Sequence, residues 1–83
     1  MALYFLSYDL RNRRNYQPLY DEMARFGARQ TLESVYFLTH ASTTAAALRD
    51  HFRQFVDGDD GIIVIQASHW AGSRLTNNPP ETW

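Results

Sequence analysis

The sequence predicts an α+β fold in which two helices cover one face of a four-stranded antiparallel sheet, and three observations support this. The chain has 83 residues, which is room for a single domain. Segments with apolar residues at helical spacing alternate with aromatic and β-branched segments in the order β-α-β-β-α-β. The first and last strand segments are apolar on both faces, which is typical of buried strands.

The first strand and the first helix are predicted from the N-terminal third of the chain. Residues 3–10 are aromatic or apolar on both faces, which favours a buried strand. Asn15 can cap the helix that follows, and Pro18 lies in its first turn, where no backbone donor is required. Gly27 is expected to end the helix. The apolar stripe of this helix consists of Tyr16, Leu19, Tyr20, Met23 and Phe26.

Two strands are predicted between the helices. Residues 29–32 form a short strand and residues 34–39 a longer one. Only Glu33 and its neighbours lie between the two strands, so a tight turn or a β-bulge must join them.

The second helix and the last strand are predicted from the C-terminal half of the chain. Ser42, Thr43 or Thr44 can cap this helix. Its apolar stripe consists of Ala45, Leu48, Phe52 and Phe55. Residues 57–61 form an acidic turn, and residues 61–67 contain the run Ile-Ile-Val-Ile, which favours a buried strand.

This element order is that of the ferredoxin-like arrangement, with the strands in the spatial order four, one, three, two. We expect residues 1–67 to form this single domain. Residues 68–83 have no hydrophobic period and contain two asparagines and two prolines in succession. They are predicted to be a tail that is partly flexible or docks on a partner.

The predicted sheet has an apolar face that its own helices do not cover. Leu3 and Phe5 point to one side of the first strand, and Tyr4, Leu6 and Tyr8 to the other. A monomer would expose the uncovered side as an apolar patch, so we expect a homodimer that packs face to face. The alternative is that the tail folds back over this face.

Composition excludes several classes of function. The chain has no cysteine, which excludes disulfides, zinc knuckles and thiol nucleophiles. No segment has the length of a membrane span or the pattern of a signal peptide, so a cytoplasmic protein without membrane partners is expected. The net charge of −1 argues against a uniformly basic surface for binding nucleic acid.

The basic residues point to a local anion site. All eight basic residues are arginine, and three of them lie within four positions at Arg11, Arg13 and Arg14. Guanidinium groups bind phosphate through paired donors, so this cluster is a candidate phosphate-binding site. The alternative is that these arginines are solvated or form ion pairs with acidic residues such as Asp21 and Glu22.

Several short motifs, in this order and spacing, resemble the small CRISPR-associated Cas-two family over residues 3–67. The resemblance also extends to VapD-type toxins and SinR-like proteins of the same fold. The motifs are Tyr8-Asp9-Leu10 at the end of the first strand, Arg13-Arg14 before the first helix, Gly27 after it, and Ser34-Val35-Tyr36 entering the long strand. The resemblance implies a ferredoxin-like homodimer with stacked sheets.

The resemblance also implies an activity and a site. Asp9 would meet its symmetry mate across the dimer cleft, and members of the family have been described as metal-dependent nucleases. In CRISPR adaptation the family acts as a scaffold that binds double-stranded DNA between integrase dimers, and a VapD-like protein would be a ribonuclease toxin. The sequence departs from the family at Phe37, where a glutamate often stands, and in a tail without an evident strand for exchange.

Asp9 is therefore the candidate catalytic residue and metal ligand. Two carboxylates at a dimer axis would recruit Mg²⁺ or Mn²⁺, and the ion could activate water against a phosphodiester. Ser7 and Ser34 are candidates for a supporting role. Arg11, Arg13 and Arg14 are the candidate nucleic-acid-binding residues. The alternative for Asp9 is that it ends the strand and pairs with one of these arginines.

Overall fold

The computed structural model describes Met1–Trp83 and contains the predicted elements in the predicted order. The strands are β1 (Ala2–Asp9), β2 (Arg29–Leu32), β3 (Val35–His40) and β4 (Gly61–Ala67). The helices are α1 (Gln17–Arg25) and α2 (Ala45–Phe52), and α2 continues into a 3₁₀ turn at Arg53–Phe55. β1 and β3 each lie one residue from their predicted positions.

The four strands form one antiparallel sheet in the order β2-β3-β1-β4, which confirms the predicted ferredoxin-like fold class. A turn at Glu33 and Ser34 joins β2 to β3 at the predicted position, and the register between these strands also shifts between Gln30 and Leu32, inside β2. At the other side of the sheet, Asp9 at the end of β1 pairs with Gly61 at the start of β4. This register places the β1–α1 loop beside the turn that precedes β4.

The hydrophobic core lies between the two helices and one face of the sheet. Seven fully buried side chains form it: Tyr4, Leu6 and Leu38 from the sheet, Leu19 and Met23 from α1, and Leu48 and Phe52 from α2. All four helical members belong to the predicted stripes. The even-numbered residues of β1 therefore face the helices, and the odd-numbered residues face away from them.

The helix ends are set by local chemistry. The N-cap of α1 is Tyr16 and not the predicted Asn15, which lies one residue earlier and accepts a hydrogen bond from the backbone N–H of Gln17 at 2.9 Å. Of the three candidate caps for α2, Thr44 has the role, because its hydroxyl accepts a hydrogen bond from the N–H of Ala47 at 3.0 Å. Gly27 has a φ of +73°, a left-handed conformation that ends α1 at little cost for glycine. Neither helix combines the length and apolarity needed to cross a membrane.

Residues 68–83, called the tail from here on, are hydrogen-bonded to β2. The N–H of Thr76 donates to the carbonyl of Thr31 at 2.9 Å, and the Thr31 hydroxyl donates to the carbonyl of Asn77 at 2.8 Å. The Asn77 side chain donates to the carbonyl of Gln30 at 2.7 Å. The tail then turns back, and the Trp70 indole donates to the carbonyl of Pro80 at 2.8 Å.

The sheet face that points away from the helices, called the open face, has a covered half and a bare half. Leu3 and Phe37 lie on it and are only 0% and 7% exposed. Both helices lie on the other side of the sheet, and the tail is bound at the β2 edge next to this half. Ile63 and Ile65 on β4 share this face but are 55% and 50% exposed. The fold thus buries one half of the open face within the chain and leaves the other half apolar and exposed.

Candidate functional site

Asp9 lies at the end of β1 on the open face, beside the bare half. Its side chain is 72% exposed, and its Oδ2 accepts a hydrogen bond from Nε of Arg11 at 3.2 Å. This is the ion pair that the sequence left open as the alternative role for Asp9. An ion pair this exposed contributes about 0–1 kcal/mol, so the carboxylate remains available to a ligand.

Two shallow depressions meet at Asp9. The first has a volume of about 240 Å³ and is lined by Ser7, Tyr8, Asp9, Gly61, Ile62 and Ile63. The second has a volume of about 340 Å³ and is lined by Tyr8, Asp9, Leu10, Tyr20, Glu33 and Ser34. The two serines predicted to support Asp9 therefore line opposite sides of it, with Ser7 on the open face.

A cluster of three tyrosines lies next to the second depression. The ring of Tyr8 is 6.3 Å from that of Tyr20 and 6.0 Å from that of Tyr36, measured between centroids. Burial raises the pKa of Tyr8 above its usual value of 10.0, and the neighbouring phenols of Tyr20 and Tyr36 raise it further. Tyr8 is therefore a neutral phenol at physiological pH and can donate a hydrogen bond but cannot act as a base.

The arginine cluster is mostly engaged by the acidic turn Asp57–Asp60. Nη1 of Arg11 donates to the carbonyl of Asp59 at 2.6 Å, and Arg14 forms an ion pair with Asp57. Arg13 makes no hydrogen bond or ion pair within the chain. Of the three candidate phosphate-binding arginines, Arg13 alone therefore has a guanidinium without a partner.

Asp60 holds this loop and this turn together. Its carboxylate accepts hydrogen bonds from the N–H of Arg11 at 2.7 Å, the Tyr16 hydroxyl at 2.6 Å and the N–H of Asp57 at 2.8 Å. Burial alone would raise the pKa of Asp60, but these hydrogen bonds together lower it below its usual 3.8. The pKa of Tyr16 is raised above 10.0, by burial first and then by its hydrogen bond to Asp60.

The sequence signal for this contact is indirect. The spacing of Asp57, Asp59 and Asp60 fits no calcium-binding loop, which by itself favours a solvated turn. The turn meets the arginine loop because β1 and β4 are antiparallel neighbours, so the end of one strand lies beside the start of the other. Opposite charges at those two positions become informative only once the strand order is known.

No group of three or more histidine, aspartate or glutamate side chains is arranged to hold an ion. Asp9 by itself supplies one carboxylate. Mg²⁺ keeps several water ligands and is commonly bound through one or two carboxylates, so a second Asp9 from another copy would give a donor set of the right kind.

No protein-family profile matches this chain, and no solved structure matches it. The features of the molecule that bear on its function are the position of Asp9, the bare half of the open face and the arginine loop. The resemblance to the Cas-two family remains a prediction.

Proposed function

We propose that the chain forms a Cas-two-like homodimer that acts on nucleic acid, with Asp9 of both copies at the centre of the site. One observation carries the proposal: a highly exposed carboxylate lies directly beside an exposed apolar surface. Burial of Ile63 and Ile65 drives two bare halves together. Because Asp9 is on the same face, this packing would bring the two carboxylates toward the two-fold axis.

A pair of Asp9 carboxylates would be suited to a divalent ion. Like charges at close range disfavour one another, so one carboxylate takes up a proton or both bind a cation. The two Asp9 side chains would hold Mg²⁺ or Mn²⁺, with the Ser7 hydroxyls nearby on the same face. A bound ion would supply an activated water and stabilise the charge that develops on a phosphodiester. The activity would be that of a metal-dependent endonuclease.

The arginine loop would position the nucleic acid. Arg11 and Arg14 are bound to the acidic turn, which orders the loop and leaves the Arg13 guanidinium free to contact phosphate. Contacts of this kind fix the backbone without reading the bases. Cleavage with little sequence preference would follow.

The Asp9–Arg11 ion pair favours a second candidate function, a non-catalytic scaffold. If Asp9 serves only to order the arginine loop, the dimer binds nucleic acid or protein without hydrolysing it. In a CRISPR system the protein partner of such a scaffold would be an integrase. Binding of nucleic acid would then depend on Arg13 and fall steeply with salt, because each phosphate contact releases counterions.

The test is a cleavage assay with single-stranded RNA, single-stranded DNA and duplex DNA, in Mn²⁺, Mg²⁺ or EDTA. We expect metal-dependent cleavage that Asp9→Asn lowers by about 100-fold or more, since loss of a ligand removes the ion. Asp50→Asn is the matched control, because Asp50 is also exposed and forms an ion pair with the neighbouring Arg49 at 2.9 Å. This control should cleave at the wild-type rate.

The outcomes separate the two functions. Equal cleavage by wild type and Asp9→Asn would overturn the proposed catalytic role. Binding without cleavage, weakened by Arg13→Ala and by salt but not by Asp9→Asn, would establish the scaffold instead. Absence of both binding and cleavage would overturn both. Growth arrest on expression, lost in Asp9→Asn, would identify the ribonuclease toxin.

A further inference from the structure

The outer edge of β4 has no backbone partner. β4 is the last strand of the sheet and pairs only with β1. The backbone hydrogen bonds made outside helices and strands do not involve any residue of Gly61–Ala67, and neither do the side-chain hydrogen bonds of the chain. An exposed row of unpaired N–H and C=O groups is a template for pairing with another strand.

The sequence of β4 carries none of the usual protections of an exposed edge. Its seven residues, Gly-Ile-Ile-Val-Ile-Gln-Ala, include no charge and no proline. Its pairing with β1 continues without a bulge along its whole length. Charged residues, prolines and bulges are the devices that keep the edge strands of monomeric proteins apart. Their absence, together with the exposure of Ile63 and Ile65, indicates an edge that another strand covers.

A second copy of β4 fits this edge. In an antiparallel pairing centred on Val64, Ile63 lies opposite Ile65 of the second copy, and Gly61 lies opposite its Ala67. The two exposed isoleucines of each copy then meet on the open face as one cluster. Cross-strand pairs of β-branched residues stabilise a sheet, so this register gains from both the backbone and the side chains.

Charge also favours the antiparallel register. The acidic turn Asp57–Asp60 immediately precedes β4. Antiparallel pairing puts the turns of the two copies at opposite ends of the strand pair, roughly 26 Å apart at about 3.3 Å per residue. This separation exceeds the Debye length of about 8 Å at physiological ionic strength. A parallel pairing would place the two acidic turns side by side.

We propose that two copies of the chain pair through their β4 edges, antiparallel about Val64, and join two four-stranded sheets into one continuous sheet. The contact goes beyond the proposed function and does not depend on it. Asp9 lies beside Gly61, so edge pairing places the two Asp9 residues at opposite ends of the contact. Edge pairing uses the outward backbone groups of β4, which packing of the bare halves leaves unpaired, whereas Ile63 and Ile65 contribute to both contacts.

The experiment is oxidative cross-linking of the Val64→Cys variant. The chain has no cysteine, so the new thiol is the only one. Val64 packs against the core on the helical face, so packing of two open faces cannot bring two such thiols together. Directly opposed residues of antiparallel strands have Cα atoms about 4.5–5.5 Å apart, which is within the range for a disulfide.

The matched control is Val56→Cys, because Val56 is also half-buried but lies outside the sheet. We expect Val64→Cys to form a covalent dimer at least about tenfold faster than the control, given the geometric demands of a disulfide. Adding Ile65→Lys should abolish the cross-link, since it places charge at the centre of the contact. Equal rates for Val64→Cys and Val56→Cys would overturn the proposal.

A second measurement on the wild-type chain covers the case in which the Val64→Cys variant does not fold. The β4 amides that point outward should exchange with solvent more slowly as protein concentration rises from about 5 μM to about 500 μM, because pairing protects them. Exchange that is independent of concentration would overturn the proposal. Neither readout involves Asp9, so failure here leaves the cleavage test unaffected.

Discussion

The two outer edges of the sheet differ in whether they have a partner. The β2 edge is bound by the tail through hydrogen bonds to Gln30 and Thr31, and the Arg29 side chain donates to the amide oxygen of Asn77 at 2.7 Å. The β4 edge is uncharged and has no partner. The same contrast extends over the open face, where Leu3 is fully buried and Ile65 is half exposed.

This difference shows how a small domain divides its surface between folding and association. A chain of this length buries only about 60% of its unfolded surface, so an aperiodic tail that adds burial is valuable. The tail binds the β2 edge, next to the buried half of the open face, without adding a regular element. The surface that remains exposed at β4 is apolar and continuous, and it lies beside Asp9. The surface available for association is therefore next to the candidate catalytic residue.

The largest expected effect is the difference in free energy of unfolding between substitutions in the two halves of the open face. Leu3→Ala should lower the free energy of unfolding by about 2–5 kcal/mol, because the side chain is fully buried and leaves a cavity. Ile65→Ala on the same face should cost about 1 kcal/mol or less, as half-exposed positions do. Urea denaturation at low protein concentration, where association does not contribute, measures both values. Equal costs would mean that the two halves do not differ in burial.

A smaller effect is expected from detaching the tail from β2. Asn77→Ala removes an acceptor for Arg29 and a donor to Gln30, and should destabilise the chain by about 1–3 kcal/mol. Both tryptophans lie in the tail, so a red shift of tryptophan emission reports its release. Asn78→Ala is the matched control, because Asn78 is exposed and makes no side-chain hydrogen bond. A tail that stays bound in Asn77→Ala would show that other contacts hold it.

The sequence was sufficient for the fold because each element carries a local signal. Helical spacing of apolar residues predicts α1 and α2, and the β-branched run predicts β4 with its observed bounds. Gly27 ends α1 in the left-handed conformation that its position indicates. The course of the tail has no such signal, because Asn77 and Thr31 hold it through hydrogen bonds between residues distant in sequence, without periodicity.

The candidate site was predictable only in part. Asp9 lies at the end of the first strand, as its place after an apolar run indicates. Which arginine remains free depends on the neighbours of the loop, and these are set by the pairing of β1 with β4. Arg11 and Arg14 are therefore engaged and Arg13 is not, although the three are indistinguishable in sequence.

Asp60 holds the start of β4 in place through its hydrogen bonds. The stability of this end of the strand therefore depends on the ionisation of Asp60. Because the pKa of Asp60 is lowered by folding, its contribution to stability is complete above its usual value of 3.8 and is lost as the pH falls through the lowered value. Asp60→Asn keeps one acceptor oxygen but cannot ionise. We expect a less stable chain near neutral pH and a shallower loss of stability in acid, measured by urea denaturation from pH 7 to pH 2.5. Parallel stability profiles for variant and wild type would contradict this.

The smallest expected effect concerns Asp9 itself. Asp9→Asn should change the free energy of unfolding by no more than about 0.5 kcal/mol, because the carboxylate is 72% exposed and its ion pair with Arg11 is open to solvent. A near-zero value would show that the fold does not depend on the Asp9 carboxylate. A loss of 2 kcal/mol or more, about what a buried charge pair would show, would mean that Asp9 orders the arginine loop. A loss of cleavage in the same variant would then report disorder of the loop instead of loss of a ligand, so the stability measurement decides how the cleavage assay is interpreted.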